Sequence, residues 1–258
     1  MKLRGLTRIA LLALLALPLL VSGAGATVIS YDVTGTDAAG NPVSARADFF
    51  TGSGIMTVDL TNLLAVGAVK EIGQNVFGVQ FTLSSGQSSG ALNGTNGPNQ
   101  EETVAAGGQA SGLTNVAGNP TGWSLQNNVN KGLGNGIALC VLCAGGSGPH
   151  TLIGGAPAGN YINADGTIAG SATNNPFFDN VLHFGLNVPG LQGTTGNPGD
   201  YVDSVFITFG TTTLQAHCSI LSCLPERHKT PEPSSLLLLG AGVLGLAGFS
   251  LRKRRNTK

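Results

Sequence analysis

The 258-residue sequence predicts an all-β fold: an antiparallel β-sandwich ectodomain, jelly-roll-like, set between an N-terminal signal peptide and a single C-terminal transmembrane helix. Three observations predict it. Apolar and polar residues alternate with a period of two in several separate segments, the pattern of strands with one buried face. The 40 glycines, with Asn and Pro, punctuate those segments, so turns are frequent and no long amphipathic helix fits between them. The only long apolar runs lie at the two ends of the chain.

The elements follow in chain order. Lys2, Arg4 and Arg8 precede an apolar stretch over residues 9–21, and Ser22-Gly23-Ala24-Gly25-Ala26 follows it. A basic start, a short apolar centre and a small-residue close describe a secretory signal peptide over residues 1–26, cut after Ala26 or, as the near alternative, after Ala24. Thirteen apolar residues are too few for a permanent anchor. The ectodomain occupies residues 27–225. Its first strand is expected at 28–33. Val43, Ala45, Ala47 and Phe49 alternate with polar neighbours, and 55–60 forms another short run. Phe77, Val79, Phe81 and Leu83 give the next strand, Leu182, Phe184, Leu186 and Val188 a later one, and Val205, Ile207 and Phe209 the last. Residues 86–122 are rich in Gly, Ser, Asn and Ala and read as a long loop or weakly structured insertion, after which Trp123, the only tryptophan, re-enters the core.

Residues 226–233 form a linker, and 234–258 carry the membrane helix and a basic tail. The run 235–251 has 17 residues and no charge, and as a helix it spans about 25 Å, the short end for a bilayer crossing. Arg252, Lys253, Arg254 and Arg255 follow directly and mark the cytoplasmic side, so that residues before 231 face outward. Pro231 and Pro233 lack backbone donors and hold their neighbours extended, which leaves 230–233 as an exposed strip at the membrane surface.

Pro231-Glu232-Pro233-Ser234, a glycine-interrupted apolar helix and a terminal basic cluster, in that order, resemble the PEP-CTERM sorting signal of Gram-negative bacteria over residues 230–255. The resemblance implies recognition of the Pro-Glu-Pro strip by an exosortase, a membrane cysteine protease. It further implies transient anchoring by the helix, removal of the tail, and delivery to the cell surface or extracellular matrix. Phe81-Thr82-Leu83-Ser84-Ser85-Gly86 and Phe209-Gly210-Thr211 resemble strand motifs in the bodies of many such proteins, which implies an exported β-rich body and no particular activity.

Overall neutrality hides a charge asymmetry. Residues 27–230 contain twelve acidic and five basic side chains (Arg46, Lys70, Lys131, Arg227, Lys229), a net charge of −7. That argues against nucleic acid and anionic lipid as partners of the body and permits metal-ion bridging to acidic polymers. The expected function is that of an exported, non-enzymatic surface or matrix protein, without cofactor, associated with exopolysaccharide or biofilm. The alternative is a secreted hydrolase acting on polysaccharide in a sandwich cleft.

The candidate chemistry is sparse. Cys140, Cys143, Cys218 and Cys223 are even in number and belong to an oxidising compartment, so two disulfides are expected, with three pairings open. A redox role for Cys140-Val-Leu-Cys143 requires a helix N-terminus that the flanking glycines do not favour, and no metal site is expected of these cysteines. Gly86-Gln87-Ser88-Ser89-Gly90 fits G-x-S-x-G, but the residues after it cannot form the helix of a nucleophile elbow. His183 lies on the polar phase of its strand and is expected to face solvent, while His150, His217 and His228 are scattered. Asp165-Gly166 and the stretch around Asp200 and Asp203 read as turns rather than a calcium loop.

Overall fold

A computed structural model describes residues 28–94, 97–130, 134–141, 143, 148–192 and 201–217. All of them belong to the first of the chain's two units, residues 1–217. The signal peptide with Ala24 and Ala26, Cys218 and Cys223, Pro231-Glu232-Pro233-Ser234, the run 235–251 and the cluster Arg252, Lys253, Arg254 and Arg255 lie outside the described residues.

The described chain forms fourteen strands in two sheets. Strands β1 (Val28–Thr36), β2 (Pro42–Gly52) and β3 (Ile55–Asn62) make an antiparallel meander. Next to β3 lies β12 (Val181–Asn187), and β5 (Ala91–Leu92) closes that five-stranded sheet. The second sheet is centred on β4 (Val76–Leu83). On one side of β4 stand β13 (Val202–Phe209) and β14 (Thr212–His217). Its other side is shared by β9 (Asn135–Val141), which continues to β8 (Trp123–Asn130), and by the short β10 (Leu152–Ile153). From β10 the sheet runs on through β11 (Phe177–Asp179), β6 (Asn99–Val104) and β7 (Ala110–Val116). The β10–β11 pair is parallel, which makes this sheet mixed.

Register explains why the alternating residues bury together. Ile29, Phe49, Val58 and Phe184 lie in one cross-strand row, and Tyr31, Ala47, Leu60 and Leu182 in the next. The opposing sheet supplies Val205, Phe81 and Ile137 in one row and Ile207, Val79 and Leu139 in another. Because side chains alternate between faces, each row lies wholly on one face. The two inner faces meet where the Phe49 and Phe81 rings pack edge to face with centroids 5.0 Å apart, and where Trp123 stacks at a tilt on Phe184 at 5.3 Å. The Tyr31 hydroxyl donates to the Val202 carbonyl across the same interface. Every residue of β4 is buried. Its outer side is covered by the end of β8, whose Val129 carbonyl accepts from the Gln80 amide at 2.9 Å.

All six predicted strands are present. Trp123 is buried as expected. The segment 86–122 differs from expectation: it contains β5, β6 and β7 rather than a structureless insertion. β5 and β7 are edge strands with largely exposed side chains, and β6, between β11 and β7, buries Asn99 and Glu102 along with Val104, so all three carry little apolar alternation and are held by ladder hydrogen bonds and cross-strand pairs such as Gln100–Asn115 at 3.0 Å. A second apolar cluster, including Val104, Ile153, Tyr161, Ile168 and Phe177, packs beneath the long connection between β10 and β11.

Candidate functional site

A shallow, open depression of about 400 Å³ is lined by Gly94, Gly97, Pro98, Asn115, Val116, Ala117 and Gly118. Three of its glycines have positive φ (Gly94 69°, Gly97 85°, Gly118 79°), conformations that keep side chains out of the floor. Asn115 projects from β7 and pairs with Gln100 of β6, while Asn93, next to Gly94, donates to the Asn187 side chain at 3.2 Å. The β7 and β8 surfaces continue the same chemistry: Ser111, Thr114, Asn115, Ser124, Gln126, Asn127, Asn128 and Asn130 are exposed.

His183 stands behind this depression and is not solvent-facing as its strand phase predicts. It lies opposite Asp59 in the β12–β3 register, in the outer row Ser30, Asp48, Asp59, His183. The approach of residues 97–99 half-buries it: a Cβ at Gly97 would fall 3.3 Å from the ring, and Asn99 bonds both the amide and the carbonyl of His183. His183 Nδ1 lies 2.8 Å from Asp59 Oδ1. The Asp59 hydrogen bond outweighs burial and raises the His183 pKa above its ordinary value. Ser30 satisfies Asp48, which faces Asp59 directly and is otherwise repelled by it.

A second pair joins His150 to Glu101 at 2.7 Å. The His150 carbonyl accepts from the Trp123 indole at 2.7 Å, and the residue adopts φ 68°. The indole bond ties the core tryptophan to this turn, so the pair serves the architecture. Deeper still, Glu102 of β6 and Asp179 of β11 are 1% and 5% exposed. The Tyr161 hydroxyl donates to Glu102 Oε1 at 2.5 Å and the Ala158 amide to Oε2 at 3.2 Å, whereas Asp179 Oδ1 has no hydrogen-bond partner. Burial raises the Glu102 pKa. Burial and then the Glu102 charge push Asp179 up to about 7. Nothing in the sequence marks these residues, since charged side chains on half-exposed strands usually point outward.

The remaining expected sites resolve individually. Cys140 and Cys143 form a disulfide with Cα atoms 5.1 Å apart, closing the turn after β9. Cys140 ends a strand rather than beginning a helix, which removes the geometry that a reactive thiolate needs. Ser88 of the G-x-S-x-G segment donates to Asn128 Oδ1 at 2.6 Å, and the chain runs on into β5, not a helix. Asp165 caps its own turn through the Thr167 amide at 2.8 Å. Among the described residues no helix is long and apolar enough to cross a membrane, and no group of three or more His, Cys, Asp or Glu side chains is arranged to hold a metal ion.

Residues 229–255 match the family model of the PEP-CTERM protein-sorting motif. No curated protein and no solved structure matches the chain. The motif marks an exported protein, sorted at the membrane and processed by an exosortase.

Proposed function

We propose that the β body is a non-enzymatic binding module of the cell surface or extracellular matrix, which holds exopolysaccharide after exosortase processing has released the tail. The observation that carries this reading is the depression of about 400 Å³ with its uncharged surroundings. Sugars present hydroxyls that exchange hydrogen bonds with amides, carbonyls and hydroxyls. A mostly apolar floor that includes Gly94, Gly97, Pro98 and Gly118 suits the C–H face of a sugar ring, and Asn115 with the exposed Asn, Gln, Ser and Thr of β7 and β8 offers hydrogen-bonding groups for its hydroxyls. The lining consists of glycine, proline, alanine, valine and asparagine, residue types that do not transfer protons at neutral pH. A net charge of −7 over residues 27–230 favours neutral stretches of polymer, or acidic ones bridged by cations.

The test is retention of the purified exported protein on the polysaccharide of its own host. Ala117 is exposed and lines the depression, so A117W fills it without touching the core. The wild type is expected to be retained and the variant to elute at least about tenfold weaker, a loss near 1.4 kcal/mol. Equal retention of both proteins contradicts the assigned surface. Release of new reducing ends from the polysaccharide would instead support a hydrolase.

A further inference from the structure

We propose that Asp37 and Glu71 form a calcium site at the end of the β1–β2 hairpin. Asp37 is 6% exposed. Its Oδ1 accepts from the Ala39 amide at 2.9 Å and the Asn41 amide at 2.8 Å, while its Oδ2 is buried with no hydrogen-bond partner. A buried carboxylate oxygen left bare is costly, and native proteins rarely tolerate one without a ligand or an ion. Gly73 packs close to this oxygen: a Cβ there would lie 3.2 Å from Asp37 Oδ2 and would crowd whatever binds it.

The surroundings point to a cation rather than to a base supplied by the chain. Glu71 reaches the same place, held by the Asn41 side-chain amide, which donates to its Oε1 at 2.5 Å. The Glu71 and Asp37 side chains lie in hydrogen-bond contact, so two acceptor groups face each other and a cation or a shared proton must stand between them. Asp165 is fixed nearby because its amide donates to the Lys70 carbonyl at 2.7 Å. Among the described residues, no Lys, Arg or His forms an ion pair with Asp37 or Glu71. Carboxylates converge, one buried oxygen receives no N–H or O–H from the described residues and faces another carboxyl group, and no positive side chain pairs with them. A hard dication relieves both penalties at once, taking Asp37 Oδ2 and the Glu71 carboxylate, with water completing the six to eight oxygens that calcium accepts. Magnesium demands a tighter octahedron and releases water reluctantly, which two side chains do not compensate. With so few anionic ligands the affinity belongs to the extracellular class, about 10⁻⁴–10⁻³ M. The site stands independently of the polysaccharide reading.

Titration calorimetry of the chelator-treated exported protein with calcium chloride at pH 7.5 tests this, together with Tm at zero and 10 mM calcium. The expected result is one site in that affinity range and a Tm rise of about 3–10 °C. D37N retains an oxygen for the Ala39 and Asn41 amides while placing an amide where Oδ2 stands, and E71Q changes only a half-buried side chain. Each is expected to remove both the heat and the calcium-dependent Tm rise. Two outcomes overturn the proposal. One is no calcium response in the wild type; a D37N variant more stable than the wild type then shows that a shared proton satisfies the pair. The other is undiminished binding in both D37N and E71Q, which places the ion elsewhere.

Discussion

Replacing Asp179 by Asn separates the energetic cost of a buried acid from its packing. Asp179 is 5% exposed, its Oδ1 has no hydrogen-bond partner, and Glu102 lies close enough to repel it. Burial, reinforced by that charge, pushes its pKa up to about 7 from 3.8. The native state therefore keeps a proton between about pH 4 and pH 7 that the unfolded chain has released. Stability falls as pH rises whenever the native state binds more protons, so this residue weakens the fold progressively over that window, and the loss is complete above pH 7. About three pKa units correspond to about 4 kcal/mol, and partial relaxation around the charge brings the expected effect to about 2–4 kcal/mol. D179N has nearly the same shape and never ionises. In urea unfolding it should match the wild type within about 1 kcal/mol at pH 4 and exceed it by about 2–4 kcal/mol at pH 8. Glu102, also raised, slopes in the same direction and is present in both proteins. A difference between the two proteins that stays constant from pH 4 to pH 8, or one that shrinks with rising pH, refutes the reasoning.

Other perturbations probe separate parts of the structure. Phe81 is fully buried against Phe49, so F81A should cost about 3–5 kcal/mol, read as a lowered urea midpoint. The Cys140–Cys143 disulfide closes a very short ring; the double Ser variant should therefore lose only about 1–2 kcal/mol, measured in the same assay. His183 has a raised pKa through Asp59, so its contribution is full below pH 6.5 and lost as pH rises through the raised value. H183Q should accordingly be destabilised at pH 5.5 by about 1 kcal/mol and become close to neutral at pH 9.

The sandwich was legible where one face of a strand is buried. Val79 and Phe81, or Leu182 and Phe184, alternate because water lies on one side and the opposing sheet on the other. Strands β7 and β8 escaped because Ser111, Thr114, Gln126 and Asn127 face solvent, and β6 because its buried positions include the polar Asn99 and Glu102; backbone pairing leaves no periodic apolar trace. The site was less legible for the same reason. His183 is solvent-facing by strand phase alone and becomes half-buried only because residues 97–99, which carry no apolar signal, lie against it. Asp179 and Glu102 meet through the β6–β11 pairing, and Asp37 and Glu71 through the packing of a hairpin end against a short 3₁₀ turn. Such encounters depend on register and loop placement, which residue spacing does not encode. The sorting motif at 229–255 was readable because such a signal is a linear code: proline strip, apolar run and basic cluster need no tertiary partner.

Under the proposed function, residues 229–255, which match the sorting motif, are an address removed after export of the β body. Intact-mass measurement of the native protein from its own host tests it most directly. The account predicts a chain beginning at Thr27, or at Gly25 if the leader is cut after Ala24, ending before residue 235, and lighter by two hydrogens for each disulfide. A mature protein that still carries residues 235–251 would contradict it and leave a permanently anchored body in its place.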